Sequence, residues 1–188
     1  MSIIKDRKQL KEWIERDRLS YPLHSTPLKD RLLNSGFKLT RLLRMCQYYD
    51  GRRYCKFLHL MYRYLYRRKA SKAGFDVPSH VVVGPGFAVF HPNGILINSR
   101  VKIGENFSIH GGSKIGLKSK DEIPEIGNNV KVGINCTIIG GIHIGDNVVI
   151  GAGSVVVKDV LNGTIVAGNP ARVIRTVTEE DLGQQNLF

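Results

Sequence analysis

The chain of 188 residues is 42% hydrophobic and 23% charged, the balance of a soluble globular protein. No apolar run approaches the roughly 18 residues of a membrane span, and the opening MSIIKDRKQLKEWIERDR is too charged for a signal peptide. Cys46, Cys55 and Cys136 are odd in number and lack CxxC spacing, so neither a disulfide framework nor a zinc site is indicated, and a cytoplasmic location is expected.

Charge divides the chain. Residues 1–72 hold 19 Lys and Arg against 6 Asp and Glu, whereas residues 73–188 hold 9 against 10. Two modules with different surfaces are expected, 1–72 and 73–175, followed by a tail at 176–188. The first reads as a basic helical module. Leu10, Trp13, Ile14 and Asp17 share one helix; Pro22 and Pro27 bracket a linker; a second helix runs through Leu32, Leu33, Phe37, Leu42, Leu43 and Met45. A third follows Asp50-Gly51, with Tyr54, Phe57, Leu58, Met61 and Leu65 at helical spacing, and ends at Gly74. Its segment RRYCKFLHLMYRYLYRRKASK mixes cations with aromatics. That is the pattern of an amphipathic packing helix, or of a surface that meets anionic lipid at the inner face of a membrane. Nucleic-acid binding is not expected, because no recognised module accompanies the charge.

From residue 77 the sequence has a period of six. Val77, Val83 and Val89 form one run, Ile97, Ile103, Ile109 and Ile115 a second, and Ile126, Val132, Ile138, Ile144, Ile150 and Val156 a third. Gly follows seven of these thirteen residues. A helical period near 3.6 cannot give a strict six; short strands turning a corner every six residues can, with each Val or Ile inside a narrow prism and the small residue easing the turn. The fold class is therefore α+β, a helical module followed by a parallel β-helix. Two insertions relax the register: FHPNG between Val89 and Ile97, and GLKSKDEIPE between Ile115 and Ile126. Insertions in solenoids tend to serve one functional face, which draws attention to His91. The tail carries a capping box, Thr178 to Asp181.

The helical module, the hexapeptides, FDVP, FHPNGILIN and AGNPARVI together resemble the serine O-acetyltransferase family, in particular its shorter members from capsule and exopolysaccharide clusters. The resemblance implies a left-handed β-helix, acetyl-CoA as co-substrate, no metal, and a homotrimer or dimer of trimers with CoA in the groove between β-helices. It implies a catalytic pair: His91 as general base and Asp76, fifteen residues earlier, as the carboxylate that orients it. About three hexapeptides separate the two, which is expected to stack them on adjacent coils. For the acceptor the resemblance points to Asp17 (in ERDR), with Phe90 and Glu122 standing at acceptor positions where this chain departs from the family and His110 a candidate to line the same cleft on the next coil; for CoA it points to Gly133, Ile134, Gly151, Ala152, Lys158 and Arg172. Family members that act on serine carry an Asp where Phe90 stands and an Arg-His pair where Glu122-Ile123 stands. A sugar hydroxyl is therefore the expected acceptor. Serine acetylation for cysteine synthesis is the alternative, and a non-catalytic β-helix used for assembly is an alternative of another class.

Overall fold

A computed structural model describes residues 3–22, 26–52 and 55–183. Four helices come first: α1 (Arg7–Leu19), α2 (Pro27–Leu33), α3 (Ser35–Tyr49) and α4 (Lys56–Lys72). The expected second helix is two. Asn34 takes an extended conformation and its side chain accepts the Phe37 N–H, so it ends α2 and caps α3, while Pro27 opens α2. Tyr54, expected on the third helix, lies outside the described residues.

Twelve short strands then wind a parallel β-helix with three faces. One face holds β1 (Val82–Val83), β4 (Lys102–Ile103), β7 (Glu125–Ile126) and β10 (His143–Ile144). The second holds β2 (Ala88–Phe90), β5 (Ser108–His110), β8 (Lys131–Val132) and β11 (Val149–Ile150). The third holds β3 (Leu96–Ile97), β6 (Lys114–Gly116), β9 (Thr137–Ile139) and β12 (Val155–Val156). An antiparallel hairpin, β13 (Thr164–Gly168) and β14 (Ala171–Thr176), extends the second face, and α5 (Glu179–Gly183) follows. The Thr178–Asp181 box forms there, with the Thr178 N–H donating to the Asp181 carboxylate.

All thirteen period-six residues are buried, none more than 5% exposed. The glycines after them ease a different constraint from the one expected. A Cβ on Gly84 would lie 2.6 Å from the Gly104 carbonyl oxygen, and one on Gly104 2.7 Å from that of Gly127. Close stacking of coils excludes side chains at these positions. The left-handed turn falls two residues later, on Asn106, Asn129, Asn135 and Asn147. These asparagines bond along the axis, Asn106 Nδ2 to Asn129 Oδ1 and Asn129 Nδ2 to Asn147 Oδ1, both 2.8 Å.

The helices do not form a separate core. Leu39, Leu43, Cys46, Tyr66 and Ala70 belong to the same apolar cluster as the coil interior. The join is polar and fully buried. Arg44 and Asp17 are both 0% exposed, with Arg44 Nε 2.8 Å from Asp17 Oδ2 and Nη2 3.1 Å from Oδ1. The guanidinium also donates to Gln47 Oε1 and to the carbonyls of Val83 and Gly84, so all five N–H groups are used. The Trp13 ring lies 4.8 Å away. Asp17 Oδ1 in turn accepts the backbone N–H groups of Gly86 and Phe87.

Removing one partner would leave a buried charge uncompensated. Arg44→Met should therefore cost about 3–5 kcal/mol of folding free energy. Urea denaturation should show Arg44→Met combined with Asp17→Leu well short of the sum of the single losses; strict additivity would mean that the pair does not act as a unit.

Candidate functional site

The two-residue insertion after β2 pushes out the corner between the second and third faces, and His91 stands on it. His91 is exposed and its φ is +49°. Among the described residues every other non-glycine with positive φ is asparagine. A histidine held where the repeat uses Asn or Gly is an outlier of the kind that accompanies function. Its ring makes no hydrogen bond or ion pair with the described residues and is free to meet a ligand.

Beside it lies a depression of about 370 Å³, walled by Tyr21, Pro22, Asn34, Ser35 and Phe90. Apart from His91 itself, none of its lining residues is ionisable near neutral pH. The helical module builds most of this wall. Gly36, also in the lining, packs so closely that a Cβ would sit 1.8 Å from the Val89 carbonyl oxygen. Tyr21 is buried and its hydroxyl accepts the Val89 N–H at 2.8 Å. Neither Tyr21 nor the Asn34-Ser35-Gly36 turn was marked by the repeat pattern. The available signal was local: an N-capping Asn followed by small residues, placed to let α3 approach the coil.

Phe90 and His110 meet across β2 and β5, their rings stacked at 4.7 Å and 14°. Tyr21 closes on Phe90 from 5.4 Å. Phe90 is thus an aromatic strut between two rings, with part of its surface left to the depression. His110 is 6% exposed, and its Nδ1 lies 3.0 Å from the Val132 carbonyl. A carbonyl only accepts, so Nδ1 carries the proton. Burial pushes the His110 pKa down, against the Val132 hydrogen bond; the charge of a protonated His91 pushes it down further.

The other expected site residues divide. Asp76 pairs in register with Leu96, twenty residues on, because the insertion lengthens the coil. It therefore stacks below Leu96 and not below His91, and no hydrogen bond joins the two within the described residues. Asp76 is exposed on the third face, which begins at the His91 corner, and lines a cleft of about 600 Å³ against α4 with Arg63, Arg67 and Ser79. Asp17 does not reach an acceptor. It is sealed between α1, α3 and the first coil, where burial raises its pKa, Arg44 opposes that, and every neighbour of the carboxylate is a donor. Glu122 stands on the loop between β6 and β7, at the corner between the third and first faces. Within the chain that loop is a full face away from His91. There Glu122 pairs loosely with Lys118 at 3.6 Å and covers Gly141.

Four of the expected CoA residues share the corner of His91. Gly133-Ile134 follow β8 and Gly151-Ala152 follow β11, continuing the line from His91 through Gly111. The Asn135 N–H donates to the Gly111 carbonyl, and the Gly153 N–H to that of Ile134. Ser113 Oγ donates to the Gly133 carbonyl from inside the coil. Ile134 and Ala152 are exposed. Arg172, exposed on β14 opposite Ala167, caps the same face. Lys158 follows β12 and so lies at the next corner, off this line.

The repeat described as "Bacterial transferase hexapeptide (six repeats)" matches residues 124–158. Serine acetyltransferase 2 of Arabidopsis thaliana is 38% identical over 111 residues, 57% of this chain and 34% of that protein. WcaB of Escherichia coli K12, named for colanic acid biosynthesis as an acetyltransferase, is 38% identical over 102 residues, 53% of this chain and 63% of its own. The chain thus spans between about a third and under two thirds of these relatives. A serine acetyltransferase of Brucella abortus, solved with coenzyme A, superimposes over 94% of this chain and 72% of its own with a TM-score of 0.78 at 26% identity.

A buried neutral His110 has a pH consequence. Its folded pKa lies below its ordinary value, so beneath about pH 6.5 the unfolded state binds the extra proton more readily. The stability it contributes is complete above that pH and is lost as pH falls. His110→Gln should show a smaller drop in thermal midpoint than the parent between about pH 7 and pH 5. An equal or larger drop would contradict the neutral ring.

Proposed function

We propose that the chain, which matches the bacterial transferase hexapeptide model over residues 124–158, is an acetyl-CoA-dependent O-acetyltransferase whose acceptor is a neutral hydroxyl of a sugar. The observation that carries the reading is an exposed, unpartnered His91 at the head of one corner of the β-helix. The proposed CoA residues are strung along that same corner. Three coils at about 4.8 Å each set Ala152 about 14 Å from His91 along the axis, a span suited to a pantetheine arm. Edge N–H and C=O groups of the corner are the kind of main-chain partners its amides require, and Arg172 would meet phosphate at the far end.

In the proposed reaction His91 removes the proton as the acceptor oxygen attacks the thioester carbonyl. The tetrahedral intermediate collapses, CoA leaves as thiolate, and the imidazolium returns the proton to sulfur. Asp76 is the proposed carboxylate for the imidazolium. Its side chain is unengaged, on the coil before that of His91 and on the adjoining face, so the pair must close when substrate or a second protomer completes the groove. A homotrimer is proposed for the same reason: one β-helix supplies only one wall of such a groove.

The wall beside His91 favours a neutral acceptor. Free serine would bring an ammonium and a carboxylate to a depression lined by aromatic rings, Asn34 and Ser35. A sugar can use the apolar edge of Phe90 and hydrogen bonds from the small polar residues. The serine reading has its own support in the relatives that carry that name.

His91→Ala should lower kcat by about 10²–10⁴-fold with acetyl-CoA affinity unchanged, and Asp76→Asn should cost less. Near-parental turnover by folded His91→Ala would remove the reading. In direct competition, followed by CoA release, L-serine should trail sugar acceptors in kcat/KM by about two orders of magnitude or more. Efficient O-acetylserine formation with sugars inert would establish the serine reading instead.

A further inference from the structure

The basic surface of the helical module lies mostly outside this site, although Arg63 and Arg67 also border the cleft of Asp76. Between Arg31 and Phe75 the sequence places twelve Lys and Arg against one acid, Asp50. Only Tyr66 and Ala70 of α4 are buried. On the opposite side of that helix Phe57, Leu60 and Tyr64 are 78%, 63% and 62% exposed. Their spacing of three and four sets them in one ridge. Arg63, Arg67, Arg68 and Lys72 flank it, and none of them bonds or ion-pairs with a described residue. Elsewhere in the module Arg16, Arg18, Arg44 and Arg52 are all engaged.

Arg68 and Lys72, which flank the ridge, also line a groove of about 530 Å³ between α4 and the α2–α3 pair. Leu32 and Leu65 give it an apolar surface, and Lys38, Arg41, Arg68 and Lys69 surround them. Leu32 is itself 60% exposed. An apolar stripe in water, bordered by cations that no protein anion neutralises, is complementary to a surface that is apolar beneath and anionic above.

We propose that this face docks the protein on an anionic bilayer, with Phe57, Leu60 and Tyr64 at the headgroup–acyl boundary and the flanking cations on lipid phosphates. Charge decides between occupants. A second copy seated here would bring two sets of largely unneutralised cations together, and Asp76, in the cleft beside Arg63 and Arg67, is too little acid to offset them. No described helix is long and apolar enough to cross the membrane, so the association is peripheral.

Flotation of the full chain with phosphatidylcholine vesicles, with and without phosphatidylglycerol, tests this without reference to acetyl transfer. Binding should need phosphatidylglycerol and be lost in high salt. The triple variant Arg68→Gln, Lys69→Gln, Lys72→Gln should bind about 10²-fold more weakly, at about fivefold per cation. Phe57→Ser, Leu60→Ser and Tyr64→Ser together should weaken binding at least about tenfold with the thermal midpoint retained. Failure to bind, equal binding to neutral vesicles, or unchanged binding by both variants would overturn the proposal. So would sedimentation in which the serine variant splits an oligomer that does not bind vesicles, which would give the face to a second copy.

Discussion

The Arg44–Asp17 pair is the constraint on which the rest of the architecture depends. A solenoid needs something at its first coil, where strand carbonyls and N–H groups have no preceding coil to meet. Arg44 takes the Val83 and Gly84 carbonyls, Gln47 takes that of Val81, and Asp17 takes the Gly86 and Phe87 N–H groups. Tyr21 and Tyr66 do the same at Val89 and Val77. The helical module thus supplies the hydrogen bonds of a missing neighbour. With the charges paired and every donor used, burial of the pair is tolerable; with either removed it is not.

This also explains what could be read from the sequence. The period-six residues declared the β-helix because each obeys one local rule, an apolar side chain pointing inward, that repeats without regard to the rest of the chain. Asp17 obeys no such rule. Its partners lie 27 residues on in another helix and about 70 residues on in a turn, and two of them are backbone N–H groups that no sequence motif displays. A likeness of position suggested an acceptor residue; the side chain instead fastens two parts of the fold. Asp76 illustrates the complementary difficulty. Counting hexapeptides sets it near His91, but the insertion at that corner shifts the register so that Leu96 is its neighbour. The irregularity that exposes His91 is the one that defeats the count.

The ring stack of Phe90 on His110 lies between these cases. The residues are twenty apart, one lengthened coil, and both follow an inward Val or Ile, so their adjacency was legible once the solenoid was recognised. Which way the rings would turn was not. That depends on Tyr21 arriving from α1 and on the Val132 carbonyl holding Nδ1. Burial holds the His110 pKa below its ordinary value next to the exposed His91.

The two halves of the candidate site therefore have different origins. The donor side is made by the repeat: Gly133-Ile134 and Gly151-Ala152 occupy their corner because the period puts them there, and any chain with this period builds such an edge. The acceptor side is made by the module, through Tyr21 and the Asn34-Ser35-Gly36 turn, against a single strand of the coil. The recognised repeat, residues 124–158, lies wholly on the donor side. In the proposed reading, likeness in the repeat therefore bears on the donor side and not on the acceptor side. In this chain the residues that close the first coil, Asp17, Tyr21 and Arg44, leave the wall between them and His91 without a fixed charge, and in the proposed reading that wall selects the acceptor.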